Sequence, residues 1–333
     1  MAECGEHALI ARIKSRLSAP PWVVVGPGDD AAAVEPVLRA LDVLTTDAQV
    51  EGVHFDRRFV PPDAIGHRAL AVNLSDLAAM GALPRAALLS MALPSSLEVA
   101  EFDQVVDGLL ALAGRYGVAL VGGNITRTPG PMVLDVTATG TVHRRKILTR
   151  AGARAGDDVY VTGTLGDAAV GLLRLQEAHE GRSPVGDETE ARSTARYLRP
   201  DPRVRAGVLL GRNRAASSCM DLSDGLADGV RQIAHASAVG MTIDAAAIPM
   251  RARSKEWLSQ RGRNPLDVAL SGGDDFELIF TVRPRQAGRL RAVRRLLGDL
   301  PITRIGVVTK SRRLIVKDES GERDLPEGYE HFR

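Results

Sequence analysis

Short apolar runs, each ending in a stop rich in Asp, Thr, Ser or Gly, recur along this chain and set its predicted elements. Leu9, Ile10, Ile13 and Leu17 fall at helical spacing and predict a short amphipathic helix over residues 5–18. Val23–Val25 predicts a strand that runs into Gly26-Pro27-Gly28-Asp29-Asp30, and Leu41–Thr45 predicts a second that ends at Thr46-Asp47. Pro61-Pro62-Asp63 signals a helix start, since proline disfavours helix before it and Asp63 falls in the first turn. The helix predicted over 63–80 carries Asn73 and Asp76 three apart, hence on one face. Ala86–Leu93 predicts an apolar strand, 97–116 an amphipathic helix, and Ala119–Val121 a buried strand ending at Gly122-Gly123-Asn124. In Met132–Thr141, Val133, Asp135, Thr137 and Thr139 alternate with Leu134, Val136 and Ala138, a strand with one polar side.

A break follows. His143-Arg144-Arg145-Lys146 and then Gly152-Ala153-Arg154-Ala155-Gly156-Asp157 mark an inter-domain connection, giving domains over 1–147 and 148–333. A length of 333 residues also favours two cores over one. Beyond the break come a strand at Val159–Thr162, a helix at Asp167–Gln176 and a polar, mobile loop over 178–194. A helix follows Asp221-Leu222-Ser223-Asp224-Gly225, and Leu278–Val282 is a strand, so this half alternates helix and strand.

Composition narrows the class. The chain is 44% hydrophobic and 25% charged, with 43 basic against 41 acidic residues and a net charge of +2. That balance favours neither nucleic acid nor an anionic membrane as partner. Cys4 and Cys219 make no disulfide framework and no thiolate metal site, and read as inert packing residues. The start MAECGEHALI lacks the basic and apolar regions of a signal peptide, and no apolar stretch reaches membrane-span length. The expected compartment is the cytoplasm.

The stops carry the chemistry. Gly28-Asp29-Asp30, Thr45-Thr46-Asp47, Asn73-Leu74-Ser75-Asp76, Asp221-Leu222-Ser223-Asp224 and Gly272-Gly273-Asp274-Asp275 combine carboxylates with hydroxyls and glycines. Carboxylate and hydroxyl oxygens are hard ligands that suit Mg²⁺. An acidic site accepts a polyphosphate only with cations between the two, so converging islands would hold several Mg²⁺ ions and a nucleotide. Taken singly, most islands also read as turns or helix caps. Asp76, among Leu70, Val72, Leu74, Leu77 and Met80, reads as buried and therefore partnered. A Walker loop, a complete G-x-G-x-x-G and the protein-kinase signatures are all absent.

The segments GPGDDAA, TTDAQVEGVHF, ALAVNLSDLAAMGA, GGNITR, LTRAGARAGD, MDLSDGL, SGGDDFEL and GYEHF resemble thiamine-monophosphate kinases, in that family's order and over nearly the whole chain. The resemblance implies an N-terminal α+β domain that pairs its sheet with a second copy's in a homodimer, and a C-terminal α/β domain completing the active site. It implies ATP-dependent phosphorylation of thiamine monophosphate, the step that yields thiamine diphosphate, by direct in-line transfer in a multi-Mg²⁺ site. Asp30, Thr45, Thr46, Asp47, Asp76, Asp221 and Asp224 match its Mg²⁺ positions, with Asn124 standing where a further Asp is usual. Gly123, Asn124, Arg150 and Ser223 match positions at the ATP, and His54, Asp274 and Tyr329 positions near the thiamine phosphate. A phosphate nucleophile is already largely ionised at neutral pH, so neither a general base nor a covalent nucleophile is expected.

Three residues depart from the family pattern: Asn124 for Asp, Asp274 for Glu and Phe276 for Tyr. Asn124 keeps an oxygen but loses a charge, which predicts weaker metal binding. Two other readings share the motifs: a relative acting on a different small molecule, and a nucleotide-binding paralogue without turnover.

Overall fold

The computed structural model describes residues 5–182 and 188–327, without side chains for 188–190. The chain groups into two units, one of residues 1–77 with 83–144 and one of 78–82 with 145–333.

The first unit holds α1 (Gly5–Lys14), β1 (Val23–Val25), β2 (Ala33–Val34), β3 (Leu41–Val50), α2 (Pro62–Ala79), β4 (Leu83–Pro94), α3 (Val99–Tyr116), β5 (Ala119–Thr128) and β6 (Val133–Val142). Its main sheet has the order β3-β6-β4-β5. The β3–β6 and β6–β4 pairs are antiparallel and β4–β5 is parallel. One face is the core: Ala87, Leu89 and Met91 of β4 and Leu134, Val136 and Ala138 of β6 are all buried. Helix α2 is buried along most of its length, including Leu70, Leu74 and Leu77. It crosses α3 backbone to backbone. A Cβ on Gly66 would lie 1.8 Å from the Val105 carbonyl oxygen, and one on Gly108 would lie 1.9 Å from that of Asp63.

Strands β3 and β5 run further than the apolar pattern predicts. Thr45, Thr46 and Asp47 lie inside β3, opposite Ala138, Thr137 and Val136, and Gly123 and Asn124 lie inside β5, opposite Leu89 and Ser90. Backbone ladder hydrogen bonds carry these strands through their polar residues, whichever side of the sheet the side chains take.

The second unit holds β7 (Asp158–Thr162), α4 (Asp167–His179), α5 (Glu188–Leu198), α6 (Val204–Arg212), β8 (Ser218–Asp221), α7 (Leu226–Ser237), β9 (Gly240–Asp244), α8 (Ala252–Gln260), α9 (Pro265–Ser271), β10 (Leu278–Val282), α10 (Ala287–Leu297), β11 (Ile302–Thr309), β12 (Leu314–Asp318) and β13 (Gly321–Asp324). Seven strands form one sheet in the order β13-β12-β9-β11-β7-β10-β8. Only the β12–β9 pair is parallel. Val159, Val161, Met220, Ile243, Ile279 and Ile305 meet Leu226, Val230 and Ile233 of α7 in its core.

The loop expected over 178–194 is a helix from Glu188 onward. Ser193 and Tyr197, one turn apart on α5, are buried. A Cβ on Gly171 of α4 would lie 2.2 Å from the Ser193 carbonyl oxygen, so α5 packs tightly where its polar sequence suggests solvent. Residues 183–187 of that expected loop lie outside the described residues.

Candidate active-site residues

The polar side of the first unit's sheet floors a cleft of about 1370 Å³. Ser90, Asn124, Asp135 and Thr137 line it, and the Gly26–Ala32 loop and Lys14 of α1 form its other wall. The loop turns at Gly28, whose φ is +126°, and a Cβ there would strike the Lys14 ammonium. Asp30 is exposed on this loop, its own N–H bonded to the Asp29 carboxylate at 2.9 Å. Gly123 must lack a side chain, since a Cβ would stand 1.9 Å from the Leu89 carbonyl oxygen.

Strand alternation separates residues that are adjacent in sequence. Thr46 lies on the cleft side and donates to Asp135 at 2.9 Å, with Thr137 at 3.1 Å. Thr45 and Asp47 lie on the opposite side, toward α2, where the Thr45 hydroxyl donates to the Asp76 carboxylate. Asp76 is half-buried rather than buried, unlike its neighbours Ser75 and Leu77. His54 follows β3 in a turn in which the Val50 N–H donates to its Nδ1 at 3.1 Å. That bond makes Nδ1 the acceptor of a neutral ring.

In the second unit, two loops interlock. Asp221 ends β8 and is buried, paired in register with Leu278 of β10. Ser223 donates to Asp224 at 2.9 Å. The Asp274 N–H donates to the Ser223 carbonyl at 2.7 Å, and the Phe276 N–H to the Leu222 carbonyl at 2.9 Å. Asp274 and Phe276 have φ of 67° and 49°, a left-handed backbone that Asp adopts more readily than most residues and that is unusual for Phe. Arg150 is exposed and donates to Gln232 at 3.1 Å. Asp228, in the first turn of α7, has its carboxyl pushed up, mainly by burial, with the Asp224 charge adding to the effect. Tyr329 lies outside the described residues, as does Cys4; Cys219 is free and buried, and burial pushes its thiol up.

Sequence reasoning missed a buried charge network below these loops. Glu277 has a side-chain exposure of 1% and accepts from Thr162 at 2.7 Å, Arg196 at 2.8 Å and Arg203 at 2.6 and 2.5 Å. The Asp275 carboxylate accepts the N–H groups of Gly166 and Ala168 at 2.6 and 3.2 Å, where α4 begins. Burial outweighs these donors and pushes its carboxyl up to about 7. The available signal was a charged residue, Glu277, set between Phe276 and Leu278 at the entry to a wholly buried strand. Asp135 was visible as a strand residue, but not as the partner of Thr46.

Among the described residues, no three His, Cys, Asp or Glu side chains come together as a metal site. The islands instead supply hard-oxygen pairs, Thr45 with Asp76 and Ser223 with Asp224. Mg²⁺ is commonly held in this way, by one or two carboxylates, substrate phosphate and water, so this donor chemistry fits it. No helix among the described residues is long and apolar enough to cross a membrane.

The two units fit the two halves of one protein class. Residues 28–142 match the AIR synthase related protein, N-terminal domain, and residues 154–319 match its C-terminal domain. The thiamine-monophosphate kinase of Escherichia coli (strain K12) is 39% identical over 333 residues, covering 99% of this chain and 98% of that protein. The solved thiamine-monophosphate kinase from Stenotrophomonas maltophilia K279a is 38% identical with a TM-score of 0.82, covering 95% of this chain and 98% of that one. AaThiL complexed with AMPPCP and TMP is 33% identical with a TM-score of 0.77, covering 100% and 98%. The chain therefore belongs to the thiamine-monophosphate kinase family.

Proposed function

We propose that this chain is a thiamine-phosphate kinase, which moves the terminal phosphoryl group of ATP to the phosphate of thiamine monophosphate and releases ADP and thiamine diphosphate. The observation that carries the reading is end-to-end similarity to enzymes of that name, one of them solved with AMPPCP and TMP.

The residues suit such a transfer. A phosphate oxygen of thiamine monophosphate attacks in line and the ADP oxygen departs, with no phosphoenzyme between. With a second pKa near ~6, the attacking phosphate is mostly dianionic at neutral pH, so no base has to remove a proton. With its Nδ1 lone pair engaged by the Val50 N–H, His54 carries its proton on Nε2 as a donor, which suits positioning a phosphate rather than taking up a proton. Gly123 lets β5 close on β4 and set Asn124 at the cleft, where it would meet the nucleotide; Arg150 and Ser223 are the second unit's candidates for the same task. His54, Asp274 and Tyr329 are assigned to thiamine monophosphate.

Asp30, Thr45, Thr46, Asp47, Asp76 and Asn124 in the first unit, and Asp221 and Asp224 in the second, are the proposed holders of Mg²⁺. Bound there, Mg²⁺ would neutralise the phosphate oxygens that must approach one another. Orientation and charge neutralisation then supply the rate enhancement.

The same reading makes the protein a homodimer. Leu44 and Leu88 lie on the cleft side of the four-stranded sheet at 69% and 42% exposure, apolar positions suited to a second copy. The deciding experiment supplies ATP, Mg²⁺ and thiamine monophosphate and measures thiamine diphosphate. Absence of product across a range of Mg²⁺ concentrations overturns the reading.

A further inference from the structure

We infer that Asp275 is a positioning residue, which fixes the backbone of the Asp274 loop and thereby the grip on thiamine monophosphate. The inference rests on the assignment of Asp274 to that substrate.

Asp275 is clamped at both ends. Its carboxylate takes the N–H groups of Gly166 and Ala168 at the start of α4. Its carbonyl oxygen takes the Arg196 guanidinium at 2.8 Å, and the same Arg196 nitrogen reaches Glu277 at 2.8 Å. At 2% exposure Asp275 is screened from solvent and serves through its neighbours.

Those neighbours need holding. Asp274 and Phe276 flank it in left-handed conformations, which crowd the Cβ against the following carbonyl oxygen, most of all for the bulky Phe276. Such geometry persists only where the surroundings over-determine it. Hydrogen bonds to the Ser223 and Leu222 carbonyls secure either side. Gly273 completes the fit, since a Cβ there would lie 2.6 Å from the Ser223 carbonyl oxygen. Freed from α4 and α5, the segment would relax toward ordinary backbone angles and take Asp274 with it. The Ser223–Asp224 loop, which carries the neighbouring nucleotide and metal assignments, shares these hydrogen bonds but is also held by β8 before it and α7 after it, so it keeps its place when the Asp274 side loosens.

The split between the two substrates is therefore the diagnostic. In full-length protein, Asp275→Ala should raise KM for thiamine monophosphate about tenfold while KM for ATP stays within about twofold. Asp275→Asn, which keeps one acceptor oxygen, should fall between. Calorimetric titration with thiamine monophosphate should show the same order. Arg196→Lys, which cannot span both acceptors, tests the carbonyl clamp and covers the case of Asp275→Ala failing to fold. A loss of kcat that tracks the folded fraction, with unchanged KM for thiamine monophosphate, overturns the inference, as does an equal loss for both substrates. Wild-type protein that makes no thiamine diphosphate defeats the functional reading and this inference with it; normal wild-type turnover with unshifted variants defeats this inference alone.

Discussion

The backbone N–H of Gly166 points at the carboxylate of Asp275 from 2.6 Å, across 109 residues of sequence. Burial nevertheless dominates and raises the Asp275 carboxyl from an ordinary 3.8 to about 7. The folded state thus binds this proton more tightly than the unfolded chain does. The contribution is complete below about pH 4 and is lost as pH rises toward about 7, after which it is flat. The stability of wild type relative to Asp275→Asn should accordingly fall across that window and level off above it. Urea denaturation of both proteins at stepped pH measures the difference.

Glu277 is held by two arginines and a threonine with almost no solvent contact. Removing one member of such a buried pair leaves the others charged and uncompensated. Glu277→Ala should destabilise the protein by about 3–5 kcal/mol. Chemical denaturation reads this directly, and Arg203→Ala should lose part of the same amount, with less than additive loss in the double variant.

The Thr45–Asp76 pair joins a strand to a helix through two hard-oxygen groups. Asp76→Asn keeps the shape and removes the charge, so catalytic efficiency should drop by about 100-fold or more, with the Mg²⁺ requirement moved to higher concentration. Thermal unfolding should change little. In the other direction, Asn124→Asp adds a charge at the cleft and should shift the Mg²⁺ titration to lower concentration. An unmoved titration removes Asn124 from the metal assignments.

Leu44→Glu and Leu88→Glu each place a charge on an exposed apolar position of the first unit's sheet. If that face pairs with a second copy, sedimentation should find the wild type dimeric and the double variant monomeric. Retention of the dimer excludes this face as the interface.

Much of this organisation was readable from residue order, and the exceptions share a cause. The polar-sided strand at Val133–Val142 and the buried run at Leu278–Val282 were plain, because their alternation or apolarity reports directly on burial. The full lengths of β3 and β5 were not. Their second halves, with Thr46, Asp47, Gly123 and Asn124, carry the ladder through polar residues that alone resemble a loop. Helix α5 was hidden similarly: its buried face is Ser193 and Tyr197 rather than aliphatic. Thr45 and Asp76 stood out as chemistry, but their hydrogen bond depends on the crossing of β3 and α2. The Arg196–Glu277 contact spans 81 residues and leaves no local pattern.

The paired glycines of α2 and α3 bear on the chemistry at a distance. Gly66 and Gly108 bring two helix backbones to a separation that no side chain would permit. Helix α2 carries Asp76 ten residues further on, so the line the helix takes past α3 bears on where that carboxylate sits. An alanine at either glycine would act as a shim between the two helices and shift α2, disturbing the Thr45–Asp76 hydrogen bond without altering either residue. The seat of a candidate metal ligand thus depends in part on atoms that the sequence leaves out.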